Sequence, residues 1–289
     1  TMLKSKKPVI SITAVRTGCG KSQTTRRVTE ILKGRGKRVV VIRHPMPYGD
    51  LVKQECQRYE TYEDLKRYEC TIEEMEEYEP HINRGTVVYA GVDYEKILRK
   101  AEEEADVIVW DGGNNDFSFY WSDLSIVVTD PHRAGNELTY YPGSVNLRFA
   151  DVVIINKIDT AAPENIEKVR KNIMMVNPNV PIIEAASPIS VDDPSVIKGK
   201  RVLVIEDGPT LTHGGMKYGA GTIAAQRFGA SEIIDPRPYT VRSISETFTK
   251  YPYIGKLLPA MGYSKKQLKD LETTINNSGC EAVVIGTPI

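Results

Sequence analysis

The chain has no net charge: 38 Lys and Arg stand against 38 Asp and Glu over 289 residues. A balanced surface sets up no global field favouring nucleic acid or an anionic membrane, so neither is expected as a partner. Local basic clusters can still hold small anions. Cysteine is scarce (Cys19, Cys56, Cys70 and Cys280), and the four lack metal-site spacing. Reduced thiols in a cytoplasmic protein are the economical reading. No apolar run approaches membrane-spanning length, and no signal peptide, internal repeat or low-complexity tract is visible. The length suffices for one large core or two modest ones. The basic lead-in Thr-Met-Leu-Lys-Ser-Lys-Lys and the abrupt end Val-Val-Ile-Gly-Thr-Pro-Ile read as the ends of a piece of a longer polypeptide.

What the chain does have is Arg16-Thr17-Gly18-Cys19-Gly20-Lys21-Ser22, set between an apolar β-branched run at 8–14 and a helix-compatible run from Gln23. A strand, a Gly-rich turn ending in Gly-Lys-Ser and a helix make a phosphate cradle. Turn amides and the positive helix end hold a polyphosphate, Lys21 reaches the outer phosphates, and the Ser22 hydroxyl binds Mg²⁺. Residues 17–23 are therefore the expected nucleotide contacts. Where the usual pattern has a glycine, five residues before Gly20, this chain has Val15. The run resembles the deviant loop of the family that contains signal-recognition GTPases, MinD and dethiobiotin synthetase. Arg16 occupies the place of that family's signature lysine, where a cation can stabilise a transferring phosphoryl group, sometimes across a dimer interface.

Buried-strand candidates recur at 8–14, 38–43, 86–90, 106–111, 124–129, 151–155, 181–185, 201–205, 231–235 and 281–285. Several are continuous Val/Ile runs, which suit strands covered on both faces. Helix-compatible segments at 23–34, 61–68, 72–78, 93–104, 163–175, 215–228 and 264–277 lie between many of them. The alternation predicts an α/β fold with a doubly wound, mostly parallel sheet. One continuous unit is expected, with a nucleotide-binding core over 1–205 and an α/β continuation over 206–289. The acidic, Tyr-rich segment 50–80 reads as a solvated helical insertion over the site, or as a lid.

Ligands of such sheets gather at the carboxyl ends of the strands. Val-Ile-Val-Trp-Asp-Gly-Gly at 107–113 has the form of a Walker-B element, in which Asp111 holds Mg²⁺. Asn114, Asn115 and Asp116 extend its polar mouth. Asn156-Lys157-Ile158-Asp159 matches the guanine reader of GTPases, although related ATP enzymes keep Asn-Lys there, so ATP and GTP both stay open. Arg43, His44 and Tyr48 lie in the loop after the second strand and could bind an acidic acceptor, with Asp50 orienting a nucleophile or metal water. His132 and Arg133 make a second cationic group. The Gly-rich run 206–221, with Thr210, Thr212, His213 and Lys217, reads as another anion-holding turn entering a helix. Three loops that each pair His with Arg or Lys imply a common site for a small, multiply charged, phosphorylated substrate. The fourth histidine, His81, falls in the insertion.

Together these loops resemble the cyclic 2,3-diphosphoglycerate synthetase family. The resemblance rests on residues 13–24, 43–50, 110–117, 156–159 and 206–215. It implies a P-loop NTPase of the SIMIBI type, a homodimer, and an ATP- and Mg²⁺-dependent ligase that closes a phosphoanhydride between the two phosphates of 2,3-diphosphoglycerate. It further implies that an N-terminal Rossmann-like domain and a short C-terminal extension accompany this part. Lys21, Arg16, Asp50 and Asp111 would carry the chemistry. A GTPase switch or metallochaperone, and an ATP-dependent ligase or kinase for another anionic small molecule, are the rival readings.

Overall fold

The computed structural model describes residues 2–44, 46, 49–113, 116–260 and 264–287. The chain divides into two units, Thr1–Ser187 and Pro188–Ile289. The first unit runs β1 (Val9–Ala14), α1 (Lys21–Gly34), β2 (Val39–Arg43), β3 (Gln57–Tyr59), α2 (Tyr62–Arg67), α3 (Ile72–Ile82), β4 (Val87–Ala90), α4 (Tyr94–Glu104) and β5 (Val107–Asp111). It continues through β6 (Leu124–Thr129), α5 (Asn136–Thr139), α6 (Gly143–Arg148), β7 (Val152–Ile155), α7 (Pro163–Val176) and β8 (Ile182–Glu184). Its sheet has eight strands in the order β3-β4-β2-β5-β1-β6-β7-β8. All neighbours are parallel except β3 and β4.

The unalternating apolar runs follow from helices on both faces. Successive strand residues point to opposite sides: Val39, Val41 and Val109 join one core cluster, whereas Val40, Ile42, Ile108 and Trp110 join another with Ile97, Leu98 and Ala101 of α4. β1 is the central strand from which the chain leaves to either side, and the phosphate loop follows directly from its carboxyl end.

The second unit contains β9 (Arg201–Asp207), α8 (Gly208–Thr212), α9 (Ala220–Arg227), β10 (Glu232–Ile233), α10 (Arg242–Lys250), β11 (Leu258–Ala260), α11 (Lys265–Asn277) and β12 (Ala282–Gly286). β9 pairs in parallel with β10, β11 and β12. The expected division at 205/206 therefore falls inside a strand: β9 runs to Asp207 and anchors a separate sheet, so residues 206–289 do not continue the first one. A Val/Ile strand carries no mark of which sheet it joins. The ten expected strands are all present. β3, β11, α5, α6, α8 and α10 are additional. Helix α10 reads Arg-Ser-Ile-Ser-Glu-Thr-Phe-Thr-Lys, poor in intrinsic helix formers, but Ile244 and Phe248 lie one turn apart and are buried.

Candidate nucleotide site

In the phosphate loop Gly18 and Gly20 have φ of 81° and 101°, the left-handed region that glycine enters at no steric cost. A Cβ at Gly20 would also sit 2.1 Å from Asn156 Nδ2. Val15, in place of the usual glycine, is buried in the core. α6 approaches its backbone so closely that a Cβ on Gly143 would lie 2.5 Å from the Val15 carbonyl oxygen.

Three successive carbonyls of the loop are held from outside. Thr17 O accepts from Arg133 Nη1 (2.8 Å), Gly18 O from Lys157 Nζ (2.6 Å) and Cys19 O from Asn156 Nδ2 (2.8 Å). Fixing carbonyls outward fixes the orientation of the same peptide planes' amides, which is the preorganisation an anion cradle needs. Asp130 ties two of the braces together, accepting from Arg133 (2.7 Å) and Lys157 (3.1 Å). Burial opposes its ionisation, but Lys157 and Arg133 hold its carboxyl below the usual carboxylate range. Lys157 has φ of 59°, a conformation that costs a non-glycine residue about 1 kcal/mol and is sustained by these two bonds. Cys19 is buried against the same group. Burial and Asp130 push its thiol up to about 11, so it is a neutral packing residue.

Asp111 ends β5 fully buried. Lys21 Nζ contacts its Oδ1, and Arg43 Nη1 lies 3.0 Å from the same oxygen. His81 Nε2 lies 3.5 Å from Oδ2, an atom with no hydrogen-bond partner among the described residues. Burial alone would raise this carboxyl, but Arg43, then Lys21 and His81, hold it well below the usual range. Burial and the charge of Arg43 pull Lys21 down from the lysine range, against Asp111. Arg43 is completed by Glu77 and by the carbonyls of Asp111 (3.2 Å) and Gly112 (2.8 Å).

Arg43 is accordingly not an open acceptor ligand; it is buried and neutralises Asp111 from behind. Glu77 and His81, both on α3, were not singled out from the sequence, because their surroundings read as a solvated acidic helix. In the structure this helix turns two side chains into the Asp111 cluster. His44 Nδ1 lies 2.6 Å from Asp116 Oδ2, and that histidine holds the Asp116 carboxyl below its ordinary range. Arg16 is buried, donates to Asn136 Oδ1 (2.6 Å) and lies 3.7 Å over the Tyr140 ring. His132 Nε2 meets Thr160 Oγ1 at 3.0 Å, beside the braces rather than with His44. Asp50 is exposed, and its carboxylate accepts from Val52 N (2.9 Å) in a local turn. Asp159 Oδ1 accepts from Ser187 N (2.8 Å), and Ser187 Oγ donates to Gln23 Oε1 (3.0 Å) at the loop's rim. Tyr48, Asn114 and Asn115 lie outside the described residues.

The second unit answers the expectation of another anion-holding turn in an unforeseen way. Amides of Gly219 (3.0 Å), Gly221 (3.2 Å) and Thr222 (2.7 Å) at the start of α9 do converge on an anion, but it is the carboxylate of Glu206. Thr222 Oγ1 adds a fourth bond at 3.0 Å. Glu206 is buried, and burial raises its carboxyl despite these donors. Thr212 donates to Gly208 O (2.9 Å) and lies 3.3 Å, through the same hydroxyl, from His213 Nδ1; His213 and Lys217 are exposed.

Asp111 Oδ2, a buried oxygen with no hydrogen-bond partner among the described residues, is a donor of the type a hard cation such as Mg²⁺ takes. Among the described residues no group of three or more His, Cys, Asp or Glu side chains forms a metal cage. No helix among them is long and apolar enough to cross a membrane.

The braced loop, the buried carboxylate at the neighbouring strand end and the parallel sheet define a nucleotide-binding P-loop NTPase fold. The model of the CobW/HypB/UreG nucleotide-binding domain matches residues 98–184. The chain is 69% identical over all its 289 residues to a protein of Thermococcus kodakarensis named arginine synthetase ArcE, and spans 64% of that protein. It is 28% identical over 116 residues to the cyclic 2,3-diphosphoglycerate synthetase of Thermococcus sibiricus, covering 39% of this chain and 26% of that one. The structure of LpxK from Aquifex aeolicus in complex with ATP aligns with 95% of this chain and 90% of its own, with a TM-score of 0.52 at 14% identity, a likeness of fold alone.

Proposed function

We propose that this chain is the nucleotide-binding part of an ATP-driven synthetase whose product is arginine. The observation that carries the reading is the 69% identity along the whole chain to the protein named arginine synthetase, together with the intact Lys21, Ser22 and Asp111 set. Making a guanidinium under ATP drive requires replacing a side-chain oxygen by nitrogen. The acceptor oxygen attacks the γ-phosphorus; an O–P bond forms as the bond to the β-phosphate oxygen breaks, and ADP leaves. An amine nitrogen then attacks the carbon, gives up its proton, and inorganic phosphate departs. Lys21 and the braced amides hold the triphosphate, and Arg16, which donates to Asn136 in this structure, would meet charge on the transferred group. His44, set by Asp116, takes the proton. Ser22 and Asp111 would hold Mg²⁺, which when bound neutralises charge on the phosphates.

Cyclic 2,3-diphosphoglycerate synthesis is the second reading, supported by the 28% identical relative and by the loop strings. It asks for dense, available positive charge around a bisphosphate. Arg43 is used on Asp111, Arg133 and Lys157 on loop carbonyls, and the α9 amides on Glu206, an arrangement that favours a less anionic acceptor.

The test uses the full-length protein with Mg·ATP or Mg·GTP. One reaction contains ammonium and the amino acid bearing a ureido oxygen where arginine has its terminal nitrogen; the other contains 2,3-diphosphoglycerate. Phosphorus NMR and amino-acid chromatography should show ADP, phosphate and arginine forming in equal amounts in the first, and no product from Lys21→Ala. A cyclic phosphoanhydride signal in the second reaction, without arginine in the first, would replace the proposal with the other reading.

A further inference from the structure

A pocket of about 20 Å³ lies in the first unit between α1 and the α3–β4 connection, lined among others by Arg26, Glu30, Lys33, His81, Arg84 and Thr86. Such a space holds one water or one monatomic ion and is too small for phosphate. Three of these side chains are cations and one is a carboxylate. Glu30 is already paired with Arg84 (3.2 Å) and Arg27 (3.4 Å). Lys33 and Arg84 are exposed, and Lys33 Nζ donates to the carbonyls of Arg84 (2.6 Å) and Gly85 (3.0 Å). Arg26 is half-buried and makes no hydrogen bond or ion pair among the described residues; burial and the charge of Arg84 pull it down from the guanidinium range. Thr86 and His81 are 2% and 1% exposed, yet among the described residues Thr86 Oγ1 and His81 Nδ1 have no hydrogen-bond partner.

We propose that this pocket is a specific site for one monatomic anion of the chloride class, held by Arg26, Arg84, Lys33 and the Thr86 hydroxyl. A water could satisfy the hydroxyl but would leave half-buried Arg26 without an ion-pair partner; an anion meets both demands. The ion would join α1, which begins at Lys21, to the end of α3, where His81 stands 3.5 Å from Asp111. Occupancy then stabilises the wall of the nucleotide cluster, and chloride should tighten nucleotide binding at fixed ionic strength.

Bromide-soaked crystals of the full-length protein test the site directly, since bromide scatters anomalously and water does not. The expected result is an anomalous peak between Arg26 and Thr86, lost in Arg26→Gln and in Thr86→Val. In parallel, replacing gluconate by chloride at constant ionic strength should raise the melting temperature saturably in the wild type, and this shift should be lost in both variants. An empty or water-filled pocket overturns the proposal. So does a peak that survives Arg26→Gln, or a peak with no saturable chloride effect, which would mean an adventitious ion only. Should Arg26→Gln fail to fold, the nearly isosteric Thr86→Val and the wild-type peak decide the matter.

Discussion

Asp111 has no exposed surface, yet it stays charged because Arg43 and Lys21 share its Oδ1 and His81 approaches Oδ2. Breaking a buried pair from one side costs about 3 kcal/mol, because the remaining charge is left without its partner. Arg43→Met should therefore lower unfolding free energy by about that amount, read from urea midpoints. Nucleotide affinity should fall with it, since Lys21 is drawn more strongly onto the carboxylate. The pH dependence follows from the direction of the Asp111 shift. In the unfolded chain an aspartate takes up a proton near pH ~4, whereas in the folded protein it stays ionised well below that. Its contribution is complete at neutral pH and declines as pH falls below about 4 toward the lower folded value. Urea midpoints measured from pH 6 to pH 3 should drop more steeply for the wild type than for Asp111→Asn. Lys21, Ser22 and Asp111 were legible in the sequence because each belongs to a short string with its own strand beside it. Glu77 and His81 were not, because only the tertiary path of α3 brings them to Asp111. The His and Arg pairs after the strands were visible as residues, but their partners were not. Arg133 serves a carbonyl rather than an outside anion, and no local pattern distinguishes the two uses.

The strand–turn–helix element recurs in both units with opposite outcomes. After β1 the turn is braced through its carbonyls; in the second unit the start of α9 is already filled by Glu206 of β9. Glycines make that filling feasible. A Cβ on Gly286 of β12 would lie 2.5 Å from Glu206 Oε2 and 2.6 Å from Gly221 N. Gly286→Ala must push β12 or α9 aside, and overpacking of this kind costs about 1–3 kcal/mol. Hydrogen exchange should show the loss as faster opening of β9, β12 and α9 amides, with β1, β5 and β6 unchanged. Equal loosening of both sheets would contradict the assignment of Gly286 to a local fit. At this scale the sequence spoke clearly of strands and helices, through continuous Val/Ile runs and the helix-compatible segments between many of them. It was silent on membership: nothing in Arg-Val-Leu-Val-Ile distinguishes an inner strand of one sheet from the centre of another.

For the molecule as a whole, the groups described above at the candidate nucleotide site lie before the division at Ser187. The eight-stranded sheet, the loop, Asp111 with Arg43, Glu77 and His81, and the braces Asp130, Arg133, Asn156 and Lys157 all belong to one unit with its own core. The rim bonds from Asp159 to Ser187 and from Ser187 to Gln23 close within it as well. A segment that ends at Ser187 therefore keeps both the hydrophobic burial that orders the sheet and the polar contacts that order the loop. Residues 1–187 expressed alone should fold cooperatively and bind Mg·ATP with a Kd within about threefold of the longer chain, a difference below ~1 kcal/mol. Calorimetric titration of the two proteins side by side measures this. A segment that folds but no longer binds nucleotide would mean that residues after Ser187 contribute directly to the phosphate or base site, and the braces would not be sufficient to preorganise the loop.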